Sequence, residues 1–323
     1  KTVEQAVDEL INPVAPFPAP PLKDYNTSGA TNPDDNIAAG TTWVNDPNND
    51  GTISSRRRSA FKKWWMGLMI GQDRSVREKM TLFWHGHFAT SAQKVQSSAQ
   101  NYQLNDIFRR NAAGNFKTLT TEVGQSGAML RYLDNVQNVK QHPNENWARE
   151  LMELFTMGVG NYSEKDIKES ARAFTGWSSA QGDFRFDENK HDFGKKTFLG
   201  RTGNFDGWDI IDIIFEQPVT AEYIASELWT FFAYEKPDRA IVASLADVVR
   251  EHDYDLQPML QTMFASRAFY SEKAMGTQIK SPVQFVIQLA AHLDLDTPPY
   301  PAMVRSAAQL GQSLFYPPNV KGW

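Results

Sequence analysis

Two histidines flank a single glycine in FWHGHFAT, residues 83–90, in a chain that holds only six histidines. Neutral imidazoles are good ligands for zinc, iron, copper or nickel, so His85 and His87 call for partners. Two residues turn about 200° around a helix axis, so a regular helix would point the rings apart. Gly86 could end the helix there, because glycine accepts the left-handed backbone that stops one, and the rings would then converge. Carboxylates are available in NENWARELMELFTMG, residues 144–158. Trp147, Leu151, Leu154 and Phe155 form its apolar stripe, with Glu150 at one edge and Glu153 beyond it. Asn144 is placed to cap this helix. Spaced three apart, the two acids would share a face and could join the histidines around a divalent transition metal that activates water. A plainer reading competes with this one. Glu145, Arg149 and Glu153 fall at i, i+4 and i+8, the spacing of a salt-bridge ladder, while the histidines hydrogen-bond in an aromatic core.

Three further strings carry polar chemistry. His191 and Asp192, followed by Lys195 and Lys196, could act as an oriented base or a ligand pair, with Arg149 or Lys195 neutralising an anionic substrate group. Turn chemistry accounts equally for Asp187, Asn189 and Asp192. In DPNNDGTIS, Asp46, Asn48 and Asp50 occupy positions 1, 3 and 5 of a calcium loop, with Gly51 at 6. Position 12 is Arg57, a cation where a bidentate carboxylate belongs, which makes calcium the weaker metal expectation. RRRSAFKKWW, residues 56–65, sets five cations beside two tryptophans. They could grip phosphate or sulfate, or form a helix face paired with internal acids.

The elements that must position these groups are mostly helical. Val3, Ala6, Val7, Leu10 and Ile11 predict a short first helix. Five prolines between 13 and 21 then exclude regular helix, so an extended Pro/Asn-rich segment is expected there. Apolar spacing predicts helices from 55 to about 116, then near 117–133, 144–157 and 163–175. The last has Ser163 as N-cap, Asp166 three residues on, and Gly176 past its end. Phe184 and Phe186 alternate with polar residues in 181–200, predicting one small β-hairpin. Helices resume at about 207–215, 219–234, 237–251, 256–266, 282–293 and 301–313. The expected fold is mostly α, half or more helix, with residues 1–54 as an N-terminal helix plus extended segment. Residues 55–323 would form one large multi-helical domain carrying the hairpin.

Composition narrows the function. The 323 residues carry a net charge of −5 and no cysteine. Disulfides, thiolate nucleophiles and iron–sulfur clusters are thereby excluded, and coating of nucleic acid is disfavoured. No apolar run is long enough to span a bilayer. There is no Gly-x-Ser-x-Gly elbow, phosphate-binding Walker loop, dinucleotide glycine fingerprint or His-Glu-x-x-His. The chain starts at Lys1, which is expected of a processed protein or a fragment.

EKMTLFWHGHFATS, RYLDN, NENWARELMELFTMGVGNYSEKDIKESARAFTGW, HDFGKKTFLG, IKSPVQFV and LGQSLFYPPNVKGW, in this order, resemble the bacterial domain of unknown function 1800 family. The resemblance runs from about residue 56 to the end. It implies an exported protein, periplasmic or extracellular, often encoded beside an exported phosphatase- or sulfatase-like protein that would be its partner. It also implies that the chain continues past Trp323. The family has no assigned activity, so no catalytic role carries over. Its motif positions here are His85, His87, Asn144, Glu145, Arg149, Glu150, Glu153, His191 and Asp192. Two functions follow as expectations. One is a divalent-metal hydrolase acting on extracellular polymers or their anionic substituents. The other is a non-catalytic surface, scaffold or binding protein whose polar strings are structural.

Overall fold

Ser163 accepts a hydrogen bond from the Asp166 amide, and the Asp166 carboxylate accepts one from the Ser163 amide. This reciprocal cap starts a helix that runs Glu164–Ala173 and stops before Gly176, whose φ is +84°. The same logic recurs with Asp206 and Asp209, and with Ser281 and Gln284. These caps satisfy amides that have no partner inside a helix, so they fix helix starts locally.

The computed structural model describes residues 1–12, 16–71, 74–180, 182–295 and 297–323. About 51% of the chain is helical, and the mostly α fold expected from the spacing is the fold observed. In chain order the helices are α1 (Val3–Ile11), α2 (Gly51–Gly71), α3 (Arg77–His87), α4 (Ser98–Arg110), α5 (Phe116–Gln125), α6 (Gly127–Tyr132) and α7 (Asn146–Glu150). They continue as α8 (Glu164–Ala173), α9 (Gly207–Phe215), α10 (Pro218–Phe232), α11 (Arg239–Glu251), α12 (Leu256–Ala265), α13 (Pro282–His292) and α14 (Tyr300–Gln309). Among the described residues no helix is long and apolar enough to cross a membrane.

Two details depart from the expected element map. The helix predicted over 117–133 is broken at Ser126, whose side chain caps α6. The single hairpin becomes two. β1 (Trp177–Ala180) pairs antiparallel with β2 (Asp183–Phe186), and β3 (Lys196–Phe198) pairs with β4 (Arg201–Gly203). Phe184 and Phe186 therefore pair backwards with β1, and the Asn/Asp-rich stretch joins the hairpins. Residues 13–15 of the proline-rich stretch and residue 181 lie outside the described residues.

The chain divides into two compact units, one of Lys1–Ile11 with Arg110–Gln278 and one of Asn12–Arg109 with Ile279–Trp323. Within the first unit, α1 packs on α12. The first unit is centred on Trp147, Phe174 and Trp177, each essentially fully buried, with Phe174 edge-on to both tryptophans at 5.9 and 5.0 Å. In the second unit, Phe61 and Phe315 stack at 4.5 Å beside Trp43, Trp65 and Tyr102. Buried aromatics interlocked in this way set how closely the helices approach.

In that second unit the chain's last turn lies against α3. Gly322 has a φ of +81°, and a Cβ there would stand 2.4 Å from the Gly86 carbonyl oxygen. Gly322→Ala therefore combines left-handed strain with a backbone clash. Its urea midpoint is expected to fall by the equivalent of about 2 kcal/mol or more, whereas Gly29→Ala, with a similar φ and open space, should lose only about 1 kcal/mol.

Candidate functional site

The histidine pair has separate neighbours. α3 continues through Gly86 to His87, so the expected helix end at Gly86 is not found and the two rings diverge as regular winding requires. His85 is buried, and its Nε2 accepts the backbone N–H of Phe315 at 3.1 Å. Trp65 and Phe315 meet the ring edge-on at 5.1 and 4.9 Å, and Trp323 lies at 5.2 Å. A neutral ring that accepts at Nε2 carries its proton on Nδ1. Burial, with the Lys62 charge adding to it, pushes the His85 pKa down to about 3. His87 instead stacks on Phe83 at 5.5 Å and meets Phe88 at 4.8 Å.

The calcium-like loop closes around a side chain. Arg57 is fully buried and gives Nε and Nη2 to the two oxygens of Asp34, at 2.9 and 2.7 Å. Nη2 also reaches Asp46 Oδ1 at 2.7 Å, and Nη1 reaches the Asp46 carbonyl at 3.2 Å. Asn48 donates to Asp34 Oδ1 at 2.7 Å, fixing the same cluster. Asp50 has a different task. Its Oδ1 accepts the Thr52 and Ile53 amides and caps α2, while Oδ2 accepts those of Thr31 and Asn32. The oxygens of Asp46 that a calcium ion would use are bound to the Arg57 guanidinium, which explains the cation at position 12. Calcium coordination by Asp46, Asn48 and Asp50 is thus replaced by an internal cation. Burial works to raise the Asp46 carboxyl, but Arg57, Asn36 and the Asn48 amide outweigh it and hold the pKa below the usual range.

The acid-rich string departs from regular helix directly after Glu150. α7 ends at Glu150, and Leu151–Thr156 winds as a π-helix. π turns are rare in globular proteins and frequent at functional sites. The wider winding breaks the i, i+4, i+8 register, so the expected ladder is only half built. Arg149 bonds Glu145 at 3.1 Å and grips both oxygens of Glu164 at 2.9 Å, which commits the proposed substrate-neutralising cation internally. Glu153 turns instead to Tyr162, whose hydroxyl donates to it at 3.0 Å. The Glu150 charge is felt at Tyr132 and Tyr162, and burial raises both phenols above their ordinary range. Tyr223 of α10 donates to the Leu154 carbonyl at 2.6 Å, satisfying an oxygen the π turn leaves available. Burial also raises the pKa of Glu227, one turn further along α10. Asn144 accepts from the Asn146 amide rather than capping from the N-cap position, which Glu145 holds. The tyrosines of this cluster come from separate elements, so no local spacing could have revealed them.

His191 and Asp192 do not form a dyad. His191 Nδ1 lies 2.8 Å from the Thr175 carbonyl, and the ring sits between Phe186 and Phe193. Asp192 accepts Arg172 Nε at 2.7 Å and the Gly194 amide at 2.7 Å. Lys196 donates to the Asp192 carbonyl, and Arg172 Nη1 to the carbonyl of Lys195 and to Glu169. The set pins β3 onto α8. Burial lowers the His191 pKa. Lacking Asp192 as orienting partner, it does not have the arrangement of an oriented base.

The histidines belong to one unit, and Glu150 and Glu153 to the other. Among the described residues, no three His, Asp or Glu side chains are grouped so as to hold a metal ion.

Two outcomes follow. Asp34→Ala strands a buried guanidinium and should cost about 3–5 kcal/mol in urea unfolding, while Asp50→Ala, which loses a cap, should cost about 1 kcal/mol. Millimolar calcium should leave the wild-type melting temperature unmoved. The second concerns pH. Because the folded state holds His85 neutral, the unfolded chain binds the extra proton between 6.5 and about 3. Stability from this group is complete above 6.5 and falls as pH drops, by up to about 1.4 kcal/mol per pH unit. His85→Phe should be less stable at neutral pH, yet show a flatter decline in urea midpoint on acidification.

No curated protein and no solved structure matches the chain. One family model does, over residues 1–323, which extends the resemblance from residue 56 back to the first residue. Two of the strings that carry the resemblance meet in the structure through His85 and Phe315. The chain belongs to the family described as protein of unknown function, DUF1800.

Proposed function

We propose that this chain is a non-catalytic binding or scaffold protein, working in the periplasm or outside the cell, whose distinctive polar strings hold its fold. The observation that carries this reading is the His85–Phe315 hydrogen bond. It commits the nitrogen that a metal would need to an amide contributed by another distinctive string. Arg57 is held by buried Asp34 in the same way and Asp192 by partly buried Arg172, while the Arg149–Glu164 pair lies at the surface. Buried polar networks of this type fix a unique packing when every member is paired. The family resemblance supports the location, and an exported phosphatase- or sulfatase-like protein is the partner that fits it.

Metal-dependent hydrolysis, the competing reading, requires at least three protein ligands around one ion. Elemental analysis of chain purified without chelator should show transition metal well below one per molecule. Chelator should leave the melting temperature unchanged. One tightly held metal per chain, lost together with thermal stability on chelation, would overturn the proposal.

A further inference from the structure

Residues 16–21, PFPAPP, are each a proline or the residue before one. Proline fixes its own φ and pushes the preceding residue into extended backbone, so this sequence dictates a polyproline II strap. The structure has neither helix nor strand there. Among the described residues, no backbone group of residues 16–20 pairs with another backbone group. The strap is therefore not knitted into the fold as a strand would be. Regular pairing begins only at Leu22, which bridges to Thr42.

Side chains from two helices hold the strap instead. Arg77, at the start of α3, donates from Nη1 to the Pro16 carbonyl at 3.1 Å. Trp64 of α2 donates from its indole nitrogen to the Ala19 carbonyl at 3.0 Å. Pro16 and Ala19 are three residues apart, one full polyproline II turn, so their carbonyls face the same side. Between them, the Arg77 guanidinium lies 4.5 Å from the centre of the Phe17 ring. Trp64 is itself held in place, with the Arg109 guanidinium 5.0 Å from its ring and Phe61 and Tyr102 at 5.7 and 5.9 Å. A proline-rich backbone offers acceptors and few donors, so a fixed indole N–H and a cation reading carbonyls one turn apart suit it. The strap lies where another chain can replace it, since Pro16, Phe17 and Ala19 are all exposed.

We infer that the Trp64–Arg77 face of α2 and α3 recognises an extended proline-rich segment of a partner protein, and that residues 16–21 occupy it in cis as a tethered stand-in. The seated residues show the chemistry the partner supplies, two carbonyls three residues apart with an aromatic side chain between them. The tether sets the competition. A segment joined by a short linker acts at an effective concentration of roughly millimolar, which an incoming segment must match or exceed in affinity. This rests on the binding-protein reading and names the partner's chemistry. That reading is tested by metal content, so failure of a peptide titration is distinguishable from its failure.

The test is calorimetric titration of the full chain with the peptide PFPAPPL, against a version carrying alanine at each proline. The triple change Phe17→Ser, Pro18→Gly and Pro20→Gly loosens the strap by removing the ring contact and two rigid residues. This variant should bind one PFPAPPL per chain, about ten-fold or more tightly than wild type, and ignore the alanine peptide. Adding Trp64→Phe, which keeps an aromatic ring and deletes the donor, should weaken that binding by about two- to ten-fold. A second measurement uses the unaltered strap. Peptide at millimolar concentration should shift the Trp64 indole proton resonance of wild type, identified by its loss in Trp64→Phe. Absence of both saturable binding and the indole shift, equal binding of the alanine peptide, or affinity unmoved by Trp64→Phe would overturn the proposal. A wild-type dimer that the peptide dissociates would assign the face to a second copy and overturn it as well.

Discussion

The hydrogen bond from the Phe315 amide to His85 joins residues 230 apart in sequence. It fixes where the end of the chain lies on α3, and several other contacts depend on that position. With Phe315 seated, its carbonyl accepts the Ala92 amide at 2.8 Å and its ring stacks on Phe61. Gly322 can then approach the Gly86 carbonyl, and Trp323 can reach the imidazole. Loop closure over such a separation carries an entropic cost, so the contact must be specific enough to repay it. An imidazole in an aromatic box achieves this because only one nitrogen can accept, and only from one direction.

The same principle governs charge in this unit. Arg57 lies among Asp34, Asp46 and two backbone carbonyls, where a related loop would hold a divalent ion. A covalent cation needs no ligand concentration and cannot be removed by a chelator. It also cannot be exchanged, so the loop is a permanent fixture rather than a sensor. Glu78 is placed similarly, accepting both Arg109 and the Trp65 indole. Such pairs add little net stability over apolar packing, but breaking one is costly, and this asymmetry secures a single arrangement.

Much of this was legible in the sequence. Helix periods, the Ser163–Asp166 cap and the stop before Gly176 depend on neighbours within a few residues, which spacing reports directly. The aberrant Arg57 in the calcium-like string was visible as well, although Asp34, 23 residues upstream, was not. What spacing could not report was long-range pairing. Spacing leaves His85 open between a ligand and a core acceptor, because its partner Phe315 is distant, and it places Glu153 on a regular ladder because the π turn that alters the winding after Glu150 is not visible in it. Nothing in LMELFT announces a π turn. It arises where Tyr223 and Thr156 are placed to satisfy the carbonyls of Leu154 and Leu151.

These ambiguities share one cause, and it bears on how long, specific strings are interpreted. A catalytic site and a fully paired buried network place the same demand on a sequence, namely particular donors and acceptors at particular positions. The histidine string and LGQSLFYPPNVKGW satisfy that demand through each other at His85 and Phe315, as Arg172, Asp192 and Glu169 do on α8 and β3. A polar residue inside a distinctive string is therefore ambiguous until its partner is known. The informative residues are those whose hydrogen-bonding capacity the fold leaves unused.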